Sequence, residues 1–383
     1  MTPIASPGGS VARGNRATAC EAWRILCAGL AFVLAGPAAA ADAPPPRPTL
    51  PEVPRGQVNH APGLVELATG DLLLCWYSGS NEAARDVRIL CARSGDHGAT
   101  WGPAYLAVGP GGRAAGAREA NKSLGNVVLH AEADRVWMIH GVIQRWDVPP
   151  FGNLCLNWAC GRVDARVSLD GGRRWSPAMR IDDQVGALPR AKPLRHPTLG
   201  LLLPLYLEGA QQSYVRPVML HHETAQLGPP LPLPTGGLIQ PSLVPQPDGS
   251  VRAFFRDVAA RAVHTAVLDP GTRSWSAAVP TDLPNPGAPV EAFIGDDGRV
   301  VLIHNPSGAD RRTLALAASH DGTHFTQGCD LVPAGAQGEV AYPTAIRASD
   351  GMWHVAYSAE GKRQIAHITF DAAWLARCLG GRP

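Results

Sequence analysis

Lysine is nearly missing from this chain of 383 residues: three, at positions 122, 192 and 362, stand among 34 basic side chains. Acidic side chains number 32 and the net charge is +2, so no excess of one sign is available to hold nucleic acid or an anionic membrane surface. Neither a CxxC pair nor an HExxH stretch occurs, which removes the usual zinc signatures. No metal and no cofactor is expected. Extended stretches with a helical apolar period are also missing, which excludes a helix bundle. The apolar run from Ile25 to Leu34 is too short to span a bilayer.

What is present begins with Arg13, Arg16 and Arg24, then that apolar run, then Ala38 to Ala41. Together these fit a secretory signal peptide over residues 1–41, with export to a periplasm or beyond the cell and no stable membrane insertion after cleavage. The Pro-rich stretch 42–56 reads as an extended linker, and residues 57–383 as the folded part. Six cysteines remain in the exported chain, where disulfides are permitted. Cys75 and Cys91 fall on adjacent strands and Cys155 and Cys160 share one loop, which leaves Cys329 and Cys378 as the third pair.

Short β-branched and aliphatic runs are broken every eight to twelve residues by Gly, Asp or Pro, the pattern of an all-β protein. At a larger period, a strand, a tight turn and a second strand recur six times, with turns at Gly70, Asp134, Gly200, Gly249, Gly298 and Gly351. Six such units predict a six-bladed β-propeller. A short C-terminal helix follows, capped by Asp371, with Trp374, Leu375, Cys378 and Leu379 on one face.

A small turn is written three times: "SGDHGATW" at 94–101, "SLDGGRRW" at 168–175 and a shortened "SHDGTHF" at 319–325, with a degenerate "VLDPGTRSW" at 267–275. The aspartate can accept backbone N–H groups across the turn, the glycine allows positive φ, and the aromatic packs back on the sheet. This is a hairpin fastener, and no direct catalytic role is assigned to Asp96, Asp170 or Asp321. Repeated Asp boxes on six all-β units resemble the sialidase (neuraminidase) superfamily, more closely its bacterial BNR-repeat members, over roughly residues 57 to 370.

In a propeller the starts of the inner strands converge on one axial funnel. Those starts carry His60, Asn121, Lys122, Lys192, Arg195, His196, Gln240, Asn285, Glu291, Glu339 and Tyr342. Two of the three lysines fall here, and a compact ammonium suggests a point charge facing an anionic group, with Arg195 as a fork for a carboxylate. An acidic glycan or oligosaccharide is the expected partner; the oligomeric state is not legible.

The resemblance implies a Tyr nucleophile assisted by a Glu, an acid/base Asp in the first blade, and three arginines on the substrate carboxylate; sialidases are exceptions to the two-carboxylate rule. Tyr342 matches the nucleophile, Asp86 the acid/base, and Glu82 is a second candidate for that place. The chain departs from the pattern twice. His60-Ala61-Pro62 stands where sialidases carry Arg-Ile-Pro, and Gln240 where the assisting Glu would be, with Glu291 or Glu339 as possible substitutes. A uronic acid therefore becomes as fitting a substrate as sialic acid. The segment 143–162 carries Trp146, Phe151 and Trp158 near Cys155 and Cys160, a sugar-stacking wall in the making, while the Gly-rich 109–118 reads as a connector. The resulting expectation is an exported sialidase-like glycoside hydrolase acting on a carboxylate-bearing sugar. A uronate lyase and a non-catalytic glycan-binding propeller are the alternatives.

Overall fold

The computed structural model describes residues 45–380, apart from 116, 118, 146, 149–151, 154, 156, 334, 336 and 337. The leader expected over 1–41, and Trp146 and Phe151, lie outside the described residues. Six antiparallel sheets follow one another along the chain as the blades of a propeller. Blade 1, typical of the set, is Val58–Glu66, Leu72–Gly79, Arg88–Ser94 and Tyr105–Val108, in that order. The inner strands of blades 2 to 6 begin at Asn121, Ala187, Leu238, Glu291 and Ala341. Every turn anticipated from the sequence joins an inner strand to its neighbour. Five of them use a glycine at positive φ, whereas the turn near Asp134 uses Ala133 at φ 53°.

The second strands are the most apolar because blades pack face to face over them. Leu72–Gly79 is buried along its whole length. Leu73, Cys75 and Tyr77 meet Val127, Leu129 and Met138 of blade 2, and Phe293 and Val301 of blade 5 meet Val355 and Tyr357 of blade 6. Each large side chain so buried contributes about 1.5–3 kcal/mol. The core therefore lies between blades, which leaves the axis free for polar groups. Disulfides join Cys75 to Cys91 across two strands of blade 1, Cys155 to Cys160, and Cys329 of blade 5 to Cys378. Cys378 ends the helix Ala372–Cys378, whose Trp374 N–H donates to the Asp371 carboxylate at 2.6 Å. Among the described residues no helix is long and apolar enough to cross a membrane.

Part of the Pro-rich segment is not a free linker. Blade 6 has three strands, Ala341–Arg347, Trp353–Ala359 and Gln364–Phe370, and Thr49 pairs antiparallel with His367 on the outermost. The Thr49 hydroxyl donates to the Gly98 carbonyl at 2.9 Å and accepts from the Trp101 indole at 3.2 Å. The segment around Thr49 thus fastens blade 6 to the Asp box of blade 1, closing the ring.

The Asp boxes act as the sequence suggests. Asp96 accepts from the Thr100 N–H and hydroxyl at 2.9 and 2.6 Å and from the Ser94 hydroxyl at 2.7 Å. These bonds, those from Thr100 foremost, hold its carboxyl at about 2. Asp170 and Asp321 repeat the arrangement. All lie beside the hairpin turns, at the end of the blades away from the inner-strand starts. Asp96→Ala is expected to lower stability by about 1 kcal/mol, the net worth of such exposed turn bonds, without changing ligand binding. Because the folded-state pKa is depressed, the wild-type advantage is present above pH ~4 and fades as the carboxylate protonates toward pH 2; urea titrations at several pH values measure it.

Candidate functional site

The inner strands do not run straight into the axis. The pairing register slips between His60 and Gly63, between Ile239 and Ser242, and between Ala341 and Thr344. At each slip a residue with positive φ precedes a proline: Ala61 (51°), Gln240 (56°) and Tyr342 (59°) before Pro62, Pro241 and Pro343. Proline has no N–H to lose from the ladder, so it suits a bulge. The bulges turn the Gln240 and Tyr342 side chains toward the axis.

There they line a cavity of about 200 Å³. Its aromatic walls are Tyr77, Tyr206, Tyr342 and Trp158, and its charges are Glu82, Glu208, Arg256, Arg311 and Lys362. Their origins follow a rule. Across the first hairpin His60 pairs with Tyr77, Leu188 with Tyr206, Ile239 with Arg256 and Ala341 with Ser358, so the ends of the second strands reach the same mouth. Beyond those ends, the loops joining second to third strands supply Glu82, Glu208, Arg311 and Lys362 from blades 1, 3, 5 and 6.

The Tyr342 hydroxyl accepts from the Gln240 amide at 3.4 Å and from Arg256 at 3.5 Å. Gln240 also donates to the Tyr206 hydroxyl at 3.2 Å and accepts from Arg256 at 3.2 Å. Lys362 donates to Glu82 at 2.7 Å; burial works against the ammonium, but the Glu82 carboxylate outweighs it and raises its pKa. Arg311 donates to Glu339 at 2.8 Å. His60 is buried, its ring 4.2 Å from that of Tyr342 and its Nε2 3.9 Å from Glu82. Burial foremost, then the charges of Lys362 and the nearby arginines, keep the imidazole neutral. The Ser358 hydroxyl accepts from the Ala61 N–H at 3.1 Å and stands 2.7 Å from His60 Nδ1. The network is satisfied when Ser358 donates to Nδ1, a tautomer that puts the N–H on the side of Glu82.

Beneath Tyr342 lies a buried ionic hub. Blade 3's inner strand is interrupted between Ala187–Pro189 and Leu194–His196, and the interruption sends Arg190 and Lys192 to Glu291 of blade 5. Arg190 reaches Glu291 at 3.2 Å, donates also to the Pro343 carbonyl, and places its guanidinium 5.9 Å from the Tyr342 ring centroid. Lys192 donates to the other Glu291 oxygen, which also accepts from the Ala345 N–H.

Of the residues singled out from sequence, Tyr342 and Gln240 line the cavity and His60 backs it, as does Glu82 in the first-blade loop. Glu291 and Lys192 pair with each other below. The others are elsewhere. Asp86 is exposed and accepts from the Ser80 N–H and hydroxyl, both at 2.9 Å, shaping its own loop. Arg195 ion-pairs with Glu132 in a separate groove of about 530 Å³ on blade 3, and His196 is buried against the Gly249 carbonyl at 2.8 Å. Both sit beside the hairpin turn, because Leu194–His196 pairs with Gly200–Leu202 at the turn, while Ala187–Pro189 pairs with Leu205–Leu207 at the mouth. Asn121 bonds Asp164 at 3.3 Å, and Asn285 closes a turn on Ala288. Lys122 does not line the cavity; burial, then the charge of Arg85, lowers its pKa. Trp158 follows Cys155 and packs over Gly125, where any Cβ would collide with the indole.

Six sheets around an axial mouth of phenols, carboxylates and guanidiniums define a sialidase-like β-propeller. The sequence model of the BNR repeat-like domain matches residues 70–355, and the chain belongs to that family. No curated protein matches it by sequence. Among solved structures it is similar to the NanB sialidase of Streptococcus pneumoniae, with 11% identity over 86% of this chain and 71% of that one, at a TM-score of 0.64. A leech intramolecular trans-sialidase complexed with 2,7-anhydro-Neu5Ac shares 12% identity over 84% and 69%, also at 0.64. An α-L-arabinofuranosidase of Fusarium graminearum shares 11% over 85% and 98%, at 0.58. At these identities the likeness is one of fold.

Proposed function

We propose that the protein is a glycoside hydrolase acting on a carboxylate-bearing sugar, with Tyr342 as nucleophile. The observation that carries this reading is the meeting of Arg256, Arg311 and Lys362 around Tyr342 in one small cavity. Lys362 and Arg311 are paired with Glu82 and Glu339, but Arg256 donates to Gln240 and Tyr342 and makes no ion pair among the described residues, so the cavity keeps a cation for an anionic ligand. A fork-shaped guanidinium such as Arg311 matches a carboxylate's two oxygens. A phenol suits attack beside that carboxylate, since it carries no charge to be repelled. Its proton passes to Glu82, which is ion-paired with Lys362. Glu82 thereby takes over the task expected of a carboxylate at position 240.

A panel of acidic oligosaccharides, scored for new reducing ends and for ultraviolet absorbance, tests the reading. Reducing ends on saturated products are expected. Unsaturated uronates would instead show proton abstraction by the adjacent Tyr342 and His60 rings, and binding without products would leave a lectin. Arg311→Met is expected to raise KM for the cleaved acidic sugar about 10- to 100-fold, the scale of one lost charge-assisted contact. Its neutral, carboxamide analogue should bind wild type and variant alike; equal losses on both would detach Arg311 from carboxylate recognition.

A further inference from the structure

We propose that Glu208 is the catalytic acid that protonates the departing group, an assignment that rests on the hydrolase reading. Glu208 is the first residue beyond the strand Gly200–Leu207 and enters the cavity from blade 3. Its N–H is held by the Gly186 carbonyl at 2.9 Å, so its backbone is fixed. Two neighbouring carboxylates are committed, Glu82 to Lys362 and Glu339 to Arg311. The Glu208 carboxylate is partly buried and has no hydrogen bond or ion pair among the described residues.

The charged and titratable groups facing Glu208 are Arg256 from blade 4, Glu82 from the loop of blade 1, and Tyr206 on its own strand. Burial favours the protonated form, the charge of Glu82 adds to that, and Arg256 opposes it without prevailing, so the pKa is raised. Two carboxylates in one site, one ion-paired with Lys362 and the other without a partner and biased toward the acid, divide the roles of base and acid between them. Asp86 is exposed, is engaged by the Ser80 N–H and hydroxyl, and does not line the cavity.

The proton accounting closes. As the glycosidic C–O bond breaks, the Glu208 proton goes to the leaving oxygen. The Tyr342 oxygen bonds the anomeric carbon, and the phenolic proton goes to Glu82. In the second half a water molecule gives one proton to Glu208 and bonds the anomeric carbon as the tyrosyl bond breaks. Glu82 then returns its proton to Tyr342.

The test is the dependence of rate on the leaving group. Wild type, Glu208→Gln and Glu82→Gln are assayed on 4-nitrophenyl and methyl glycosides of glucuronic, galacturonic and N-acetylneuraminic acid. A nitrophenolate departs without help, whereas methoxide does not. For Glu208→Gln we expect a loss in kcat/KM, which reports only the step that forms the covalent intermediate, of about 10²-fold or more on the methyl glycoside and roughly threefold or less on the nitrophenyl one. The fall in kcat/KM as pH rises through the Glu208 pKa should disappear. Equal rates on the methyl glycoside, or equal losses on both substrates, overturn the assignment while leaving the hydrolase reading intact. A wild type that cleaves neither series overturns both. Unchanged thermal unfolding of the variant guards against a merely structural effect.

Discussion

Tyr342→Phe is expected to abolish measurable turnover, a fall in kcat on the order of 10³-fold or more, with KM changed only a few-fold. The exchange removes one oxygen and leaves the ring. That ring packs 4.2 Å from His60 and lies under the Arg190 guanidinium, and neither contact needs the hydroxyl. The backbone at φ 59° is already adopted by a bulky side chain, and phenylalanine adds no strain. What is lost is the atom that Gln240 and Arg256 address. Both partners are donors, so they stabilise negative charge building on that oxygen. A variant that keeps its affinity for the acidic sugar and its unfolding temperature, but makes no covalent intermediate, isolates the chemical step. A variant that cleaves at the wild-type rate places the nucleophile elsewhere.

The fold was legible because its signals are local. Turn glycines at regular intervals, Asp boxes that satisfy their own turns and apolar second strands each depend on a dozen contiguous residues. Two of the disulfides were legible for the same reason, since Cys75 and Cys91 are directly opposed in the register and Cys155 and Cys160 lie five residues apart, whereas Cys329 and Cys378, 49 residues apart, were reached only as the pair left over. The site was only half legible. Scanning the inner-strand starts reached His60, Gln240 and Tyr342, but the other half of the mouth comes from across the first hairpin. Counting back from each turn would have led from His60 to Tyr77 and from Ile239 to Arg256. Glu82, Glu208, Arg311 and Lys362 lie in loops whose direction depends on neighbouring blades, and no periodicity reports that. Arg195 and His196 fall at the turn and not at the mouth because the inner strand of blade 3 is interrupted between Pro189 and Leu194. Lysine scarcity drew attention to Lys122 and Lys192, whereas of the three lysines it is Lys362 that lines the cavity, with Lys192 in the ionic hub beside it.

That hub carries the largest expected effect on stability. Glu291 is fully buried and receives charge from Arg190 and Lys192 together with the Ala345 N–H, so one carboxylate links blades 3, 5 and 6 beneath the cavity. Glu291→Leu would leave the Arg190 guanidinium, 3% exposed, without its counter-charge, whereas Lys192, 33% exposed, can recover water. Breaking one side of a buried pair in this way costs about 3–5 kcal/mol. Removing both charges need not, since an apolar pair of similar volume avoids desolvating either ion. Arg190→Met combined with Glu291→Leu should therefore recover a large part of the loss, and denaturant unfolding of wild type, both single variants and the double variant measures the coupling. The recovered stability should not restore function. Arg190 also donates to the Pro343 carbonyl, the residue after Tyr342, and without that bond the backbone of the bulge that aims the phenol loses a fixed point. A double variant that is stable yet slow would show that the ions are kept to position Tyr342 more than to hold the blades together; one that is both stable and fully active would remove that connection.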